Sequence, residues 1–277
     1  MRLGAPVFLD QPDPEKWIAA LRDHGYRAAY CPVDSGASTA EIQAYAAAAA
    51  KADIIIAEVG VWNNPLASDE HERAEALTHC RRQLALAEEI GAACCVNVAG
   101  SRGLLWDGPH PDNLTRETFD MIVEVVRSVI DDVRPRRTFY TLEPMPWIFP
   151  DSPDSNLDLI RAVDRSQFAV HLDPVNMISS PQRFFANTAF LQECFEKLGP
   201  YIKSVHAKDI LISDQLTTHL DEARPGMGHL DYRTFLREMD KLPADVPFML
   251  EHLPTEEDYL ESARYVRSVA AELNISL

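Results

Sequence analysis

The stretch Phe168-Ala-Val-His-Leu-Asp-Pro-Val-Asn176 begins as an apolar strand and ends in a carboxylate. Pro174 has no N–H to donate, so it stops a strand ladder immediately after Asp173. Asp173 is therefore expected where a buried strand gives way to a loop. Three other stretches repeat the arrangement: Thr138-Phe-Tyr-Thr-Leu-Glu143, Ile202-Lys-Ser-Val-His206 and Val246-Pro-Phe-Met-Leu-Glu251. Each is a short apolar run that delivers one metal-capable side chain at its C-terminal end.

Apolar runs rich in β-branched or aromatic residues occur near 5–9, 28–33, 53–61, 93–99, 138–143, 168–173, 202–207 and 247–251. Segments of helical period separate most of them. Between 115 and 133, Phe119, Ile122, Val123, Val126, Ile130 and Val133 keep to one helix face, with Thr115 as N-cap. The run 69–91 has Asp69 or Ser68 as cap and Gly91 as stop, and Thr255-Glu-Glu-Asp258 opens the last helix. No Asn-Gly or Asp-Gly turn joins two strand runs; Asp107-Gly108 falls in a loop. Alternation of this kind means parallel strands joined by crossover helices. Eight units point to α/β architecture as one closed (β/α)8 TIM barrel, a single domain over 1–277, with its active site at the C-terminal ends of the strands. The longest loops, about 100–112 and 210–230, follow strands and so belong to the catalytic face.

The 277 residues carry a formal charge of −17, with 46% hydrophobic and 25% charged residues. That balance repels nucleic-acid backbone and anionic lipid. The short basic run Arg134-Pro-Arg-Arg137 reads as a helix-end cap. Five cysteines, with Cys94 and Cys95 adjacent in an apolar run and no C-x-x-C pair, read as small core residues in a reducing compartment. The N-terminus lacks a signal-peptide core, and no stretch is long and apolar enough to span a membrane. The expectation is a soluble cytoplasmic protein without nucleic-acid or membrane partners.

In a parallel barrel all strand C-termini face one mouth, so Glu143, Asp173, His206 and Glu251, on strands five to eight, would converge. Alone, a strand-end carboxylate is usually a helix cap or a solvated loop charge. Four metal-capable groups on consecutive strands are harder to explain that way. Three carboxylates and one imidazole make a hard, oxygen-rich set that suits Mn²⁺, Mg²⁺ or Co²⁺ in octahedral coordination better than structural Zn²⁺. Two coordination positions would remain for a chelating substrate.

Leu142-Glu143-Pro, His171-Leu-Asp173-Pro-Val-Asn-Met177, Val205-His206-Ala-Lys-Asp209, Pro225-Gly-Met-Gly228 and Leu250-Glu251 together resemble the xylose isomerase-like TIM barrels of the AP endonuclease 2 type. That group holds sugar phosphate isomerases/epimerases, ketose 3-epimerases, inosose dehydratases and endonuclease IV. The resemblance spans nearly the whole chain. It implies that Glu143, Asp173, His206 and Glu251 ligate one divalent metal, Mn²⁺ first, with Mg²⁺, Co²⁺ or Zn²⁺ as alternatives. It also implies that Glu143 and Glu251 flank the substrate as an acid/base pair, and that the chain forms a homo-oligomer, dimer or tetramer. Two departures stand out. Asn176 and Ile212 occupy positions where ketose 3-epimerases carry a His and an Arg, and Asn176 can hydrogen-bond a hydroxyl but cannot titrate near neutrality.

The function expected from these residues is a metal-dependent isomerase or epimerase acting on a keto sugar or related polyol. A proton would move through a metal-stabilised enediolate. Loss of a β-substituent from the same species would instead make a lyase or dehydratase, by elimination from a 3-keto-glycoside or an inosose. A non-catalytic sugar-binding subunit is a further alternative. Endonuclease chemistry needs additional His ligands, and Asn176 stands where one of them would be. Asn176, Lys208, Trp62, Asn97 and Arg224 are the candidate substrate contacts. Lys208 shares the inward face of His206 and would steady an enediolate oxygen, or else pair with a carboxylate. Trp62, Trp106 and Trp147 offer aromatic faces to a sugar, or plug the barrel top; Asn97 and Arg102 lie near the same strand ends. Arg224 would bind a substrate oxygen or phosphate, or lie on the surface. His171 reads as a satisfied interior histidine and Asp209 as a loop anchor, with His229 and His252 as secondary candidates.

Overall fold

Strand and helix alternate from the first residues of the chain, whose computed structural model describes residues 1–10 and 13–277. The first half runs β1 (Arg2–Gly4), α1 (Pro14–Asp23), β2 (Ala28–Tyr30), α2 (Thr39–Ala52), β3 (Ile55–Gly60), α3 (Glu70–Ile90), β4 (Cys94–Asn97), α4 (Arg116–Val133) and β5 (Phe139–Leu142). The second runs α5 (Pro153–Val163), β6 (Phe168–Leu172), α6 (Pro181–Phe185), α7 (Asn187–Leu198), β7 (Ile202–Ala207), β8 (Asp209–Ile212), β9 (Leu220–Ala223), α8 (Tyr232–Met239), β10 (Pro247–Leu250) and α9 (Glu256–Leu273). Eight strands pair in parallel and close in the order β1-β10-β7-β6-β5-β4-β3-β2, with helices between them. This is the (β/α)8 barrel that the strand–helix alternation predicts.

The helix ends follow their side chains. Thr115, Asp69 and Thr255 accept from the backbone N–H groups of Thr118, Glu72 and Asp258, capping α4, α3 and α9. Gly91 ends α3 at φ 80°, and Arg134 ends α4 in left-handed backbone. On α4 the apolar stripe Phe119, Ile122, Val123, Val126 and Ile130 is buried in the main core. Burial at roughly 1.5–3 kcal/mol per large side chain is what holds each helix to the barrel. Cys80, Cys94, Cys95 and Cys194 are buried and unpaired, as packing residues. No described helix is long and apolar enough to cross a membrane.

Two sequence expectations need correction. The first strand is Arg2–Gly4, not 5–9, because β1 pairs with β10 from Arg2↔Pro247 to Gly4↔Met249 and the chain leaves the barrel before Pro6. Val7, Phe8 and Leu9 are apolar for another reason: Phe8 lies with its ring centroid 6.0 Å from that of Tyr259. The region 210–230, expected as loop, begins with an antiparallel ribbon. In it β8 pairs with β9 from Asp209↔Ala223 to Ile212↔Leu220. The ribbon continues β7 after one residue, Lys208, and folds back over the barrel mouth.

Candidate metal centre

Barrel closure places the ends of β5, β6, β7 and β10 on adjacent staves, and the four expected side chains meet there. One donor atom from each of Glu143, Asp173, His206 and Glu251 lies within 4.8 Å of all the others. His206 Nδ1 is 3.1 Å from Glu143 Oε1 and 2.9 Å from Glu251 Oε2. Glu143, Asp173 and His206 are buried, and the Glu251 side chain is 11% exposed. Residues two positions earlier on these strands (His171, Ser204 and Met249) share the inward face one layer down.

Lys208 supplies a positive charge to this group. Its ammonium lies 2.8 Å from Asp173 Oδ2, 2.9 Å from Glu251 Oε2, 3.2 Å from Glu222 Oε1 and 3.5 Å from Glu143 Oε1. Burial opposes the Lys208 charge, but Asp173, Glu143 and Glu251 outweigh it and raise its pKa well above the ordinary value. Burial likewise opposes a charged His206, and Glu251, Glu58 and Glu143 overcome it. Glu251 is held well below the carboxylate range, against burial, by His206 and Lys208. Asp173 goes the other way: burial dominates over Lys208 and pushes its carboxyl up to about 6.

The donor set fits a hard divalent cation. Asp173 Oδ2 and Glu251 Oε2 are buried acceptors that receive no well-aligned hydrogen bond, although the Lys208 ammonium is close to both and His206 Nδ1 is close to Glu251. Buried carboxylate oxygens are rarely left so, and a bound ion is one of the few groups that satisfies them. Glu58, Ser204 and His171 lie beneath. Glu58 Oε1 is 3.1 Å from His206 Nε2, and its Oε2 is 2.9 Å from His171 Nε2 and accepts from Ser204 Oγ at 3.0 Å. A carboxylate on Nε2 fixes the His206 ring and leaves Nδ1 for the centre. Glu58, His171 and His206 also have mutually close donor atoms, but all three are buried and already bonded to one another.

The other expected site residues divide. Asn176 donates to Glu143 Oε1 at 3.1 Å, its backbone N–H binds Asp173 Oδ1 at 3.0 Å, and it lines the cavity above the centre. Trp62, Trp106 and His252 line that cavity too, which encloses about 470 Å³. Asn97 does not face it. Fully buried, Asn97 accepts from the Asn63 backbone N–H at 3.1 Å and donates to Asn63 Oδ1 at 3.0 Å, pinning the loop after β3. Arg224 is taken by α9, with Glu261 at 2.5 Å and Asp258 at 3.6 Å. Arg102 donates to Met121 Sδ, His229 packs on Phe184, and Trp147 donates to the Asp107 carbonyl at 2.8 Å. His171 is buried and only half satisfied, bonded to Glu58 through Nε2 while its buried Nδ1 has no hydrogen-bond partner among the described residues, and Asp209 anchors its loop through four backbone N–H groups. Sequence reasoning missed Glu58 and Glu222. Glu58 had a signal, a lone carboxylate inside the run Ile54–Val59; Glu222 sits in a polar ribbon strand and had none.

Residues 18–269 match the model of the family described as xylose isomerase-like TIM barrel, and the chain belongs to that family. No curated protein matches it. Solved structures share the fold end to end at low identity. A xylose isomerase-like TIM barrel protein from Mycobacterium smegmatis in complex with magnesium has a TM-score of 0.69 and 17% identity, covering 98% of this chain and 97% of that one. D-psicose 3-epimerase with D-tagatose from Clostridium cellulolyticum H10 has a TM-score of 0.71 and 14% identity, over 100% of both chains. The probable 3-DHS dehydratase involved in petrobactin synthesis from Bacillus anthracis has a TM-score of 0.70 and 13% identity, over 98% of this chain and 99% of that one.

Proposed function

We propose that the chain is a divalent-metal-dependent sugar isomerase or epimerase acting on a keto sugar or related polyol. One observation carries the reading. Three carboxylates and one imidazole meet beside the cavity, and of the four only Glu143 and Glu251 line it. A divalent cation held by Glu143, Asp173, His206 and Glu251, with Mn²⁺ or Mg²⁺ suiting the donors, would polarise a ketone oxygen and acidify the neighbouring C–H. The two glutamates come from β5 and β10, which lie three staves apart in the barrel, so a carbon bound between them meets a carboxylate from each side. One glutamate takes the proton, the electron pair moves toward the ketone oxygen, and the other glutamate returns a proton to the opposite face. Asn176, anchored on both Glu143 and Asp173, orients a substrate hydroxyl. Lys208 places positive charge beside the developing oxyanion.

Departure of a β-substituent from the same intermediate is the second reading. It is supported by the dehydratase among the proteins sharing this fold and by a cavity larger than one sugar ring. Incubation of Mn²⁺-loaded protein with keto sugars in D₂O separates the two by NMR. Deuterium entering a carbon skeleton that keeps its oxygens supports the isomerase or epimerase, and release of water or aglycone supports the lyase. Glu143→Gln and Glu251→Gln should each slow exchange by about 10²–10⁴-fold. Exchange at the unaltered rate in both variants would contradict the two-glutamate mechanism.

A further inference from the structure

Among the described residues, six that are not glycine hold a positive φ. Asp53, Arg134, Asp164 and Asn274 are helix C-caps, where left-handed backbone is ordinary. The remaining two, Trp62 at φ 50° and His252 at φ 55°, both follow barrel strands and both line the cavity. For a residue as bulky as tryptophan this conformation costs energy, and it persists where surrounding structure imposes it, commonly at ligand sites. The neighbour that permits it is Gly60. A methyl group there would lie 2.1 Å from the Trp62 indole Nε1, so the ring rests against bare backbone at the end of β3. Trp62 is nevertheless 41% exposed and Trp106, which lines the same cavity, 38%. Two large aromatic surfaces are thus held at the mouth without being buried by the protein.

The charge of the cavity narrows what can lie against them. Glu143, Glu251 and Asp107 line it, and among the described residues no lysine or arginine does. The Lys208 ammonium beneath is already surrounded by carboxylates, and Arg224 is paired with α9. His252 is shared between Glu222 at 3.2 Å and Glu251 at 3.5 Å. With a divalent cation in place the carboxylates around the site still outnumber the positive groups, so a phosphate dianion would meet net repulsion. The volume of about 470 Å³ falls within the range of roughly 300–1,000 Å³ typical of drug-sized ligands, leaving space beyond one sugar ring.

We propose that the cavity takes an unphosphorylated, uncharged keto sugar bearing a second ring or an apolar aglycone, and that this substituent packs against Trp62 and Trp106. The assignment rests on the metal-centre reading above for where the ketone end binds. Three matched probes test it by isothermal titration into Mn²⁺-loaded protein: 3-keto-D-glucose, phenyl 3-keto-β-D-glucoside and 3-keto-D-glucose 6-phosphate. The phenyl glycoside should bind about tenfold tighter than the free sugar, and the phosphate about a hundredfold weaker. Trp62→Ala should remove most of the phenyl preference and Trp106→Ala part of it, with circular dichroism and melting showing that both variants fold. Equal binding of the phosphate, no gain from the phenyl ring, binding of none of the probes, or a full phenyl preference in both folded variants would each overturn the proposal. Deuterium exchange into the free sugar is followed separately. If exchange persists while the binding order fails, the aglycone assignment falls and the proton-transfer reading stands; if the binding order holds with no exchange on any probe, the reverse is true.

Discussion

Glu58 is the side chain through which the candidate metal centre depends on the layer beneath it. It is 1% exposed, and three donors converge on its two oxygens: Nε2 of His206, Nε2 of His171 and Oγ of Ser204. Burial works against its charge, but His206 and His171 hold its carboxyl well below the ordinary range. An amide in its place carries no charge and only one acceptor oxygen, so Glu58→Gln removes the anion that His206 and His171 share. The His206 ring then loses the charged partner that orients it. Metal affinity is expected to fall by about 10–100-fold, read by Mn²⁺ titration calorimetry; unchanged affinity in the folded variant would contradict this role. Asp173 and His206 could be located from sequence because each closes an apolar run whose direction is set by the barrel. Asn97 and Arg224 were misplaced for the converse reason. Proximity to a strand end does not say which neighbour will take a side chain, and Asn63 and Glu261 lie far off in sequence.

The ribbon formed by β8 and β9 is the element that sequence reading left out. Ile210-Leu-Ile212 looks like more of β7, the connection over 213–219 contains no glycine, and Leu220-Asp-Glu-Ala223 is too polar to announce a strand. Its pairing is decided by tertiary context, which places Glu222 3.2 Å from Lys208. Asp209 fixes the return of the chain, accepting from the N–H groups of Ile210, Gly226, Gly228 and Leu230 at 2.8–3.0 Å. Removing a buried acceptor from a donor costs roughly 1–3 kcal/mol. Asp209→Ala should therefore loosen this segment. Faster amide exchange is expected at Gly226, Gly228 and Leu230, with a lower melting temperature and a higher KM for the proposed sugar substrate. Exchange rates equal to those of the unaltered protein would show that the anchor lies elsewhere. The barrel strands and the capped helices were legible because period and caps are local signals. The first strand was not, because three residues, Arg2–Gly4, carry too little pattern to compete with the apolar run after Pro6.

Closure of the barrel is what turns four separate strand ends into one centre. Each strand supplies a single side chain to the mouth, and none of the four stretches forms a site alone. The same geometry gathers Lys208 and Glu222 around the carboxylates and stands Trp62 and Trp106 above them. Structures at 13–17% identity share the fold from end to end, so its pattern of strands and helices survives replacement of most side chains. Glu143, Asp173, His206 and Glu251 are proposed to bind one cation together. Anomalous diffraction at the manganese edge from crystals soaked in Mn²⁺ measures this directly. One strong peak is expected within roughly 2.0–2.4 Å of a donor atom from each of the four side chains, with His206 bonding through Nδ1. No peak at that position, or a peak held instead by Glu58 and His171, would contradict it.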